Sequence, residues 1–212
     1  MQKKIQLSIL KTLQITLLIH IIKESFVISA TDLRKGVKIL FRDEPHLVLD
    51  YNHIKMGRGG AIVRAKLKNM ISGSAFEETF RSAEKFENPN LERKDMQYLY
   101  VVDGLYNFMD QSSYDQIALN EDSLEDVLGY LKEQEIYQML YFQDRPIGVT
   151  PPLFMNLLIK ETTPGVRGDS AQGGVTKPAT LETGLVVQVP LFVNEGDVIK
   201  VDSRDGSYIE RV

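Results

Sequence analysis

The sequence predicts a mainly β protein assembled from small β-barrels. Three observations point there. Apolar and polar residues alternate with period two through most of the chain beyond residue 30, turn-forming residues interrupt at short intervals, and only one stretch has helical spacing. "HLVLDYNHI" opens the series, with Leu47, Leu49 and Tyr51 expected on one face. In "AIVRAKLKN", Val63, Ala65 and Leu67 point one way and Arg64, Lys66 and Lys68 the other. Further strands are expected at "FEETFRS", "QYLYVVD", "LYNFMD", "IYQMLYFQD", "RPIGVT", "FMNLLIKET", "GLVVQVPLFV", "DVIKVD" and "SYIERV", with Asp103-Gly104 and Asp205-Gly206 as hairpin turns. The exception is "NEDSLEDVLGYLKEQ". There Leu124, Val127, Leu128 and Leu131 predict a helix, and Ser123 with Asp126 resembles a capping box. "GDSAQGGVTKPA" reads as a long loop.

Breaks are expected near "ENPNLERKD" and at Thr150–Pro152. They leave three units of about 60 residues, near the lower range for independent folding. Each would be about 25–30 Å across, so that three in a row span roughly 80 Å.

A hydrophobic content of 43% and a charged content of 25% suit folded domains. The net charge of −4 gives no general attraction to nucleic acid, but the charge is unevenly placed. Tyr51 to Phe76 contains no Asp or Glu and carries Lys55, Arg58, Arg64, Lys66 and Lys68, whereas Asp110 to Glu135 sets eight acids against Lys132. Without cysteine, the chain has no disulfide, thiolate catalyst or Cys-type zinc site, and there is no Asn-x-Ser/Thr sequon. Both facts suit a cytoplasmic protein. The first 30 residues have a basic start and an apolar run, "ITLLIHII", too short to span a bilayer. A secretory signal ending at Ala30 is one reading. A start codon placed too far upstream is the other, preferred because His20, Lys23 and Glu24 interrupt or closely follow the run.

The stretch "HIKMGRGGAIVRAKLKN" concentrates the chemistry. "GRGG" lacks the spacing of a phosphate loop and lies between two expected strands. As a hairpin tip, Gly57, Gly59 and Gly60 permit positive φ and leave Arg58 alone as a planar, permanent cation suited to phosphate oxygens. About seven residues of strand on each side would carry it roughly 23 Å from the base. An ordinary flexible hairpin with a surface arginine fits the same residues. Lys55, Arg64, Lys66 and Lys68 suit a phosphate backbone, or equally a guarded, solvated strand. His20, His46 and His53 lack metal-ligand spacing, and no serine is positioned as a nucleophile. "VRGDS" holds an adhesion-type tripeptide.

"PATLETGLVVQVPLFVNEGDVIKVDSRDGSYIERV", with Lys177, Ala179, Gly184, Val187, Val189, Pro190, Val193 and Gly196 in a K-x-A, G, V-P pattern, closely resembles the C-terminal domain of the bacterial elongation factor P family. "ISATDLRKGVKILFRDEPHLVLD" and "AKLKNMISGSAFEETFRSAEKF" are similar to the family's first domain. "YLYVVDGLYNFMD" and "RPIGVTPPLF" are similar to its middle and third domains. The resemblance implies an extension over 1–27, an SH3-like (KOW-type) domain over 28–88 and OB-fold domains over 89–151 and 152–212, arranged in an L that mimics transfer RNA. The family begins only a few residues before "ATDLRKG", so a start near Val27 is expected.

The resemblance further implies a non-enzymatic, cytoplasmic, monomeric factor without cofactor, metal, membrane or catalytic residue. Its partners would be the 70S ribosome, peptidyl-tRNA in the P site and mRNA at the E site. It would stimulate peptide bond formation at consecutive prolines by ordering the CCA end. Here Met56-Gly57-Arg58-Gly59 stands where the family usually has P-G-K-G. Lysine modification is therefore impossible, and Arg58 becomes the expected target of an arginine rhamnosyltransferase, as in one branch of the family. The E-site mRNA loop maps to Gly173, Gly174, Val175 and Thr176, and small-subunit contacts to Tyr208 and Arg211. A divergent relative with a narrower role, and an exported RGD-bearing adhesion protein, are the competing readings.

Overall fold

The computed structural model describes residues 27–56, 60–164 and 175–212. The chain divides into two compact units, Met1–Leu91 and Glu92–Val212.

In the first unit, β2 (Lys38–Phe41), β3 (Glu44–Met56), β4 (Gly60–Asn69) and β5 (Ala75–Arg81) form one antiparallel sheet in chain order. β1 (Val27–Ser29) pairs with β6 (Lys85–Glu87) in a second small sheet. The alternation expected for β4 is observed. Val63, Ala65 and Leu67 are buried with Ile39, Val48, Phe80 and Phe86, while Arg64, Lys66 and Lys68 are exposed. The face expected for β3 is corrected. Val48 and His46 enter the core, and Leu47 and Leu49 lie on the other side. The register shifts between Val48 and Asp50, so Leu49 is an extra residue. This bulge reverses the alternation and returns Tyr51 to the core face.

The second unit holds two five-stranded antiparallel sheets. The first, ordered β11-β10-β7-β8-β9, comprises β7 (Glu92–Val102), β8 (Leu105–Asp110), β9 (Gln116–Asn120), β10 (Ile136–Phe142) and β11 (Arg145–Thr150). The second, ordered β14-β13-β12-β15-β16, comprises β12 (Phe154–Thr162), β13 (Thr176–Leu181), β14 (Val186–Pro190), β15 (Val198–Asp202) and β16 (Ser207–Arg211). Its end strands β14 and β16 approach each other, which curls the sheet toward a barrel. Bulges between Tyr98 and Tyr100, Leu140 and Tyr141, and Lys200 and Val201 supply the coiling that small barrels need. Mainly β architecture is thus observed as expected. Both sheets pack onto one buried cluster that includes Phe108, Tyr137 and Met139 from the first and Leu157, Leu181 and Ile199 from the second.

Two expectations about elements are corrected. The helix expected within 120–134 is instead a pair of 3-10 turns, Glu121–Ser123 and Leu128–Tyr130. Leu124 and Val127 are buried, so the apolar spacing reports burial, not an α-helix. Tertiary contacts draw the backbone aside. The Gly129 carbonyl accepts from Thr183 Oγ1 at 2.6 Å, and the Tyr130 carbonyl accepts from Tyr137 Oη at 2.8 Å. Asn120, not Ser123 with Asp126, caps the first turn, its Oδ1 accepting from the Ser123 N–H at 3.2 Å. The stretch expected to be loop contains β13 despite Pro178. Pro178 lies beyond the last pair with β12, Thr162 with Ala179, where a residue without an N–H is tolerated.

Candidate functional site: the β3–β4 hairpin and its supports

β3 and β4 pair without interruption from Asp50 and Lys66 outward to Met56 and Gly60. Gly57, Arg58 and Gly59 complete the connection and lie outside the described residues. The freely projecting two-stranded arm expected from sequence is shortened. β5 accompanies β4 as far as Ile62, which pairs with Arg81, and the Ser82 N–H donates to the Ala61 carbonyl at 3.1 Å. Only the last residue pairs extend beyond a three-stranded base, about 7 Å at a strand's rise per residue.

The β3 flank is supported by a residue that sequence reading did not select. The 3-10 turn Ala30–Asp32 is fixed by the buried Ala30 and Leu33, which places Arg34 over the outer half of β3. The Arg34 guanidinium sits 5.1 Å from the centre of the Tyr51 ring, with its Nη1 3.4 Å from His53 Nε2. Nη1 also donates to the carbonyls of Thr31 at 2.9 Å and Leu33 at 2.7 Å. The Tyr51 and His53 rings meet edge to face with centroids 5.4 Å apart. No periodicity marks Arg34. Its only sequence signal is its place after the buried Leu33.

The basic face of β4 is less uniform in space than in sequence. Lys66 is in register with Asp50 on β3 and Glu77 on β5, the two acids that border the acid-free stretch. Arg64 lies between Asn52 and Thr79, and Lys68 between Leu47 and Ala75. Arg64 and Lys68 are therefore the cations on this face whose cross-strand neighbours carry no charge. The backbone of Lys55 pairs with Ala61.

The C-terminal candidates sit in the second unit. Tyr208 is half-buried against the shared core. Arg211 is exposed and reaches across its own domain, with Nη1 3.4 Å from Asp197 Oδ2 and its guanidinium 5.9 Å from the Phe192 ring centre. The Asn194 N–H and, after it, Arg211 hold the Asp197 carboxyl below its ordinary range. Val175 is exposed and Thr176 begins β13, paired with Pro190. Gly173, Gly174 and the Arg167-Gly168-Asp169 tripeptide lie outside the described residues. Lys177 is buried, and its Nζ donates to the Thr163 carbonyl at 2.7 Å, across the base of that segment.

Among the described residues there is no group of three or more His, Cys, Asp or Glu side chains arranged to hold a metal ion. Nor is any described helix long and apolar enough to cross a membrane. What the geometry offers is a supported arm with exposed cations.

Comparison with known proteins decides the family. Residues 29–86 match the elongation factor P KOW-like domain, 91–149 its OB domain and 155–211 its C-terminal domain. The chain belongs to the elongation factor P family. It is 49% identical over 186 residues to elongation factor P of Thermoanaerobacter sp. (strain X514), covering 88% of this chain and 100% of that one. It is 49% identical over 186 residues to that of Agathobacter rectalis, with the same coverage. Elongation factor P of Thermodesulfovibrio yellowstonii is 44% identical over 186 residues, 88% of this chain and 99% of the relative. Among solved structures, a eukaryotic translation initiation factor 5A from Methanococcus jannaschii superposes with a TM-score of 0.52 at 18% identity, over 59% of this chain and 94% of that one. At that identity it speaks for the fold alone. As a member of this family the chain is a translation elongation factor of KOW-like and OB domains.

Proposed function

We propose that this factor binds the 70S ribosome between the peptidyl and exit sites and promotes peptide bond formation at consecutive prolines. Proline has no amide hydrogen and a fixed φ, so a peptidyl end containing it rests away from attack geometry. Ordering the CCA end of peptidyl-tRNA restores a near-attack arrangement by removing orientational freedom. Arg58 is the working group, making charge-assisted hydrogen bonds to the RNA backbone. Arg64 and Lys68 add phosphate contacts behind it, with smaller contributions from Lys55 and Lys66. The protein moves no proton and offers no nucleophile, and the ribosome remains the catalyst. The observation that carries the reading is the match to all three family domains in order, with Gly57-Arg58-Gly59 joining a hairpin braced on both flanks.

In this reading the factor works in the cytoplasm as a monomer. Gly173 to Thr176 approach mRNA at the exit site, and Tyr208 and Arg211 face the small subunit. An arginine rhamnosyltransferase modifies Arg58. The intact mass of protein purified from its native host tests that last point directly: an added deoxyhexose on the peptide containing Arg58 supports it, and an unmodified peptide rules it out. A Pro-Pro-Pro reporter tests the main reading. Wild-type factor accelerates reporter synthesis, and Arg58→Ala lowers that acceleration at least tenfold while retaining its melting temperature. Equal acceleration by both proteins would exclude Arg58 as the working group. The residues at the tip, Met56 and Arg58 in place of the usual proline and lysine, favour one second reading, a relative devoted to fewer client sequences. Acceleration confined to a subset of Pro-containing reporters would favour it.

A further inference from the structure

The outer half of β3 carries a titratable ring in contact with a permanent cation. His53 and Tyr51 stand two residues apart with their rings edge to face, and Arg34 from the neighbouring turn reaches both. A guanidinium only donates hydrogen bonds and keeps its charge. The Nε2 atom that faces Arg34 Nη1 at 3.4 Å is therefore the bare, accepting nitrogen, with the ring proton on Nδ1. That contact exists only for the neutral imidazole. Arg34 is pinned where it stands, because the same Nη1 donates to the Thr31 carbonyl at 2.9 Å and the Leu33 carbonyl at 2.7 Å. A proton gained by His53 sets two cations against each other, and the outer end of β3 is the side that yields.

The surrounding charges do not offset this repulsion. On the turn side, Asp32 is engaged by Ser29 Oγ at 2.7 Å, and Lys35 adds a like charge. On β3 itself, Asp50 turns back to the Tyr51 N–H at 2.9 Å, and Lys55 follows two positions outward. On β4, His53 is in register with Val63 and Tyr51 with Ala65. On β5, Glu78 lies opposite Ala65 and is held by Arg42 at 2.9 Å. We propose that His53 is a positioning residue that works as an acid-sensitive latch. When neutral it docks the outer half of β3 on Arg34, and when protonated it loosens the arm and lowers the stimulation the factor gives. Histidine is the side chain whose charge ordinarily changes between pH 5 and 8. The effect on stimulation rests on the ribosomal reading above, whereas the latch itself does not.

Amide exchange on the full-length factor tests the latch, with each rate divided by its intrinsic rate at that pH. From pH 8 to pH 5.5 in low salt, protection of Asn52 to Ile54 is expected to fall at least threefold, and by less in about 0.5 M salt. Protection of Leu67, in the core, is expected to hold. His53→Gln keeps an acceptor without a titratable charge, and Arg34→Gln keeps donors without a cation, so neither variant is expected to show the fall. No fall in the wild type, an equal fall in both variants, or an equal fall at Leu67 would overturn the proposal. The Pro-Pro-Pro reporter reads the consequence as the ratio of synthesis with factor to synthesis without it. From pH 8 to pH 6 that ratio is expected to drop at least threefold for the wild type and to stay level for His53→Gln. Equal drops would overturn the link from latch to stimulation. A wild type that gives no stimulation at pH 8 would instead remove the ribosomal reading, with the latch still decided by exchange.

Discussion

His46 shows how one residue can be misread from its type. A histidine in a sequence invites a search for metals or proton transfer. Here it is 2% exposed, its Nδ1–H donates to the Glu44 carbonyl at 2.9 Å, and its ring meets the edges of Phe41 and Phe76 at 5.7 and 5.5 Å. It is a satisfied core residue. His46→Ala removes the ring packing and orphans a carbonyl, and is expected to cost about 2–4 kcal/mol in urea unfolding. Tyr137 gives a titration test. Its hydroxyl accepts from the Lys132 N–H at 2.8 Å and donates to the Tyr130 carbonyl at 2.8 Å, and burial pushes its pKa up to about 12. The folded state therefore keeps a proton that the unfolded chain releases near pH 10. Stability is complete below about pH 10 and falls as pH rises toward 12. Burial moves Tyr98, Tyr130 and Tyr141 in the same direction. Tyr137→Phe is expected to lose about 1–3 kcal/mol at neutral pH and to flatten the alkaline decline, read by urea titrations at pH 8 and pH 11.

At the scale of elements, the working hairpin depends on what lies beside it. β5 holds one flank out to Ile62, and Arg34 holds the other through Tyr51 and His53. Arg34→Ala removes the second support without opening the core, since Ala30 and Leu33 remain buried. Amides of Asn52 to Lys55 are expected to exchange with solvent at least fivefold faster, with global stability reduced by about 1 kcal/mol or less. If Arg58 works from this arm, Arg34→Ala also lowers the maximal stimulation of the Pro-Pro-Pro reporter and has no further effect in an Arg58→Ala background. Additive losses would show that Arg34 acts elsewhere. The segment 120–134 makes a related point about length. Four apolar residues at helical spacing mark a helix only if the backbone hydrogen bonds stay local. Thr183 and Tyr137 take those carbonyls away, and two 3-10 turns remain.

At the scale of the whole molecule, the chain is built of two units, the second carrying ten strands among its described residues over one shared core. Lys132 crosses between its two sheets, with Nζ 2.8 Å from the Asn156 carbonyl and 3.0 Å from Glu182 Oε1. Because Phe108 and Tyr137 of one sheet and Leu157 and Ile199 of the other belong to one cluster, the excised Glu92–Val212 unit is expected to melt in a single calorimetric transition. Two separated transitions would contradict a shared core. Charge differs between the units as well. Eleven Lys or Arg face eight Asp or Glu in residues 27–91, against ten and twenty in residues 92–212. Contact with RNA is thus expected to be concentrated in the first unit. The salt dependence of ribosome binding should weaken by about one counterion for each of Arg64→Ala and Lys68→Ala.

Local sequence determined the strands, the Asp103-Gly104 turn, the two faces of β4 and the family to which the chain belongs. Each is encoded in residues close together along the chain, where side-chain period and turn chemistry act directly. It did not determine which face of β3 is buried, because one bulged residue, Leu49, inverts the alternation. Nor did it give the fate of 120–134, the strand through Pro178, the brace from Arg34, or the acids that flank Lys66. All of these were decided by partners seven to fifty-four residues away. A single sequence records a residue's own preference, whereas register and packing depend on which distant segment lies against it.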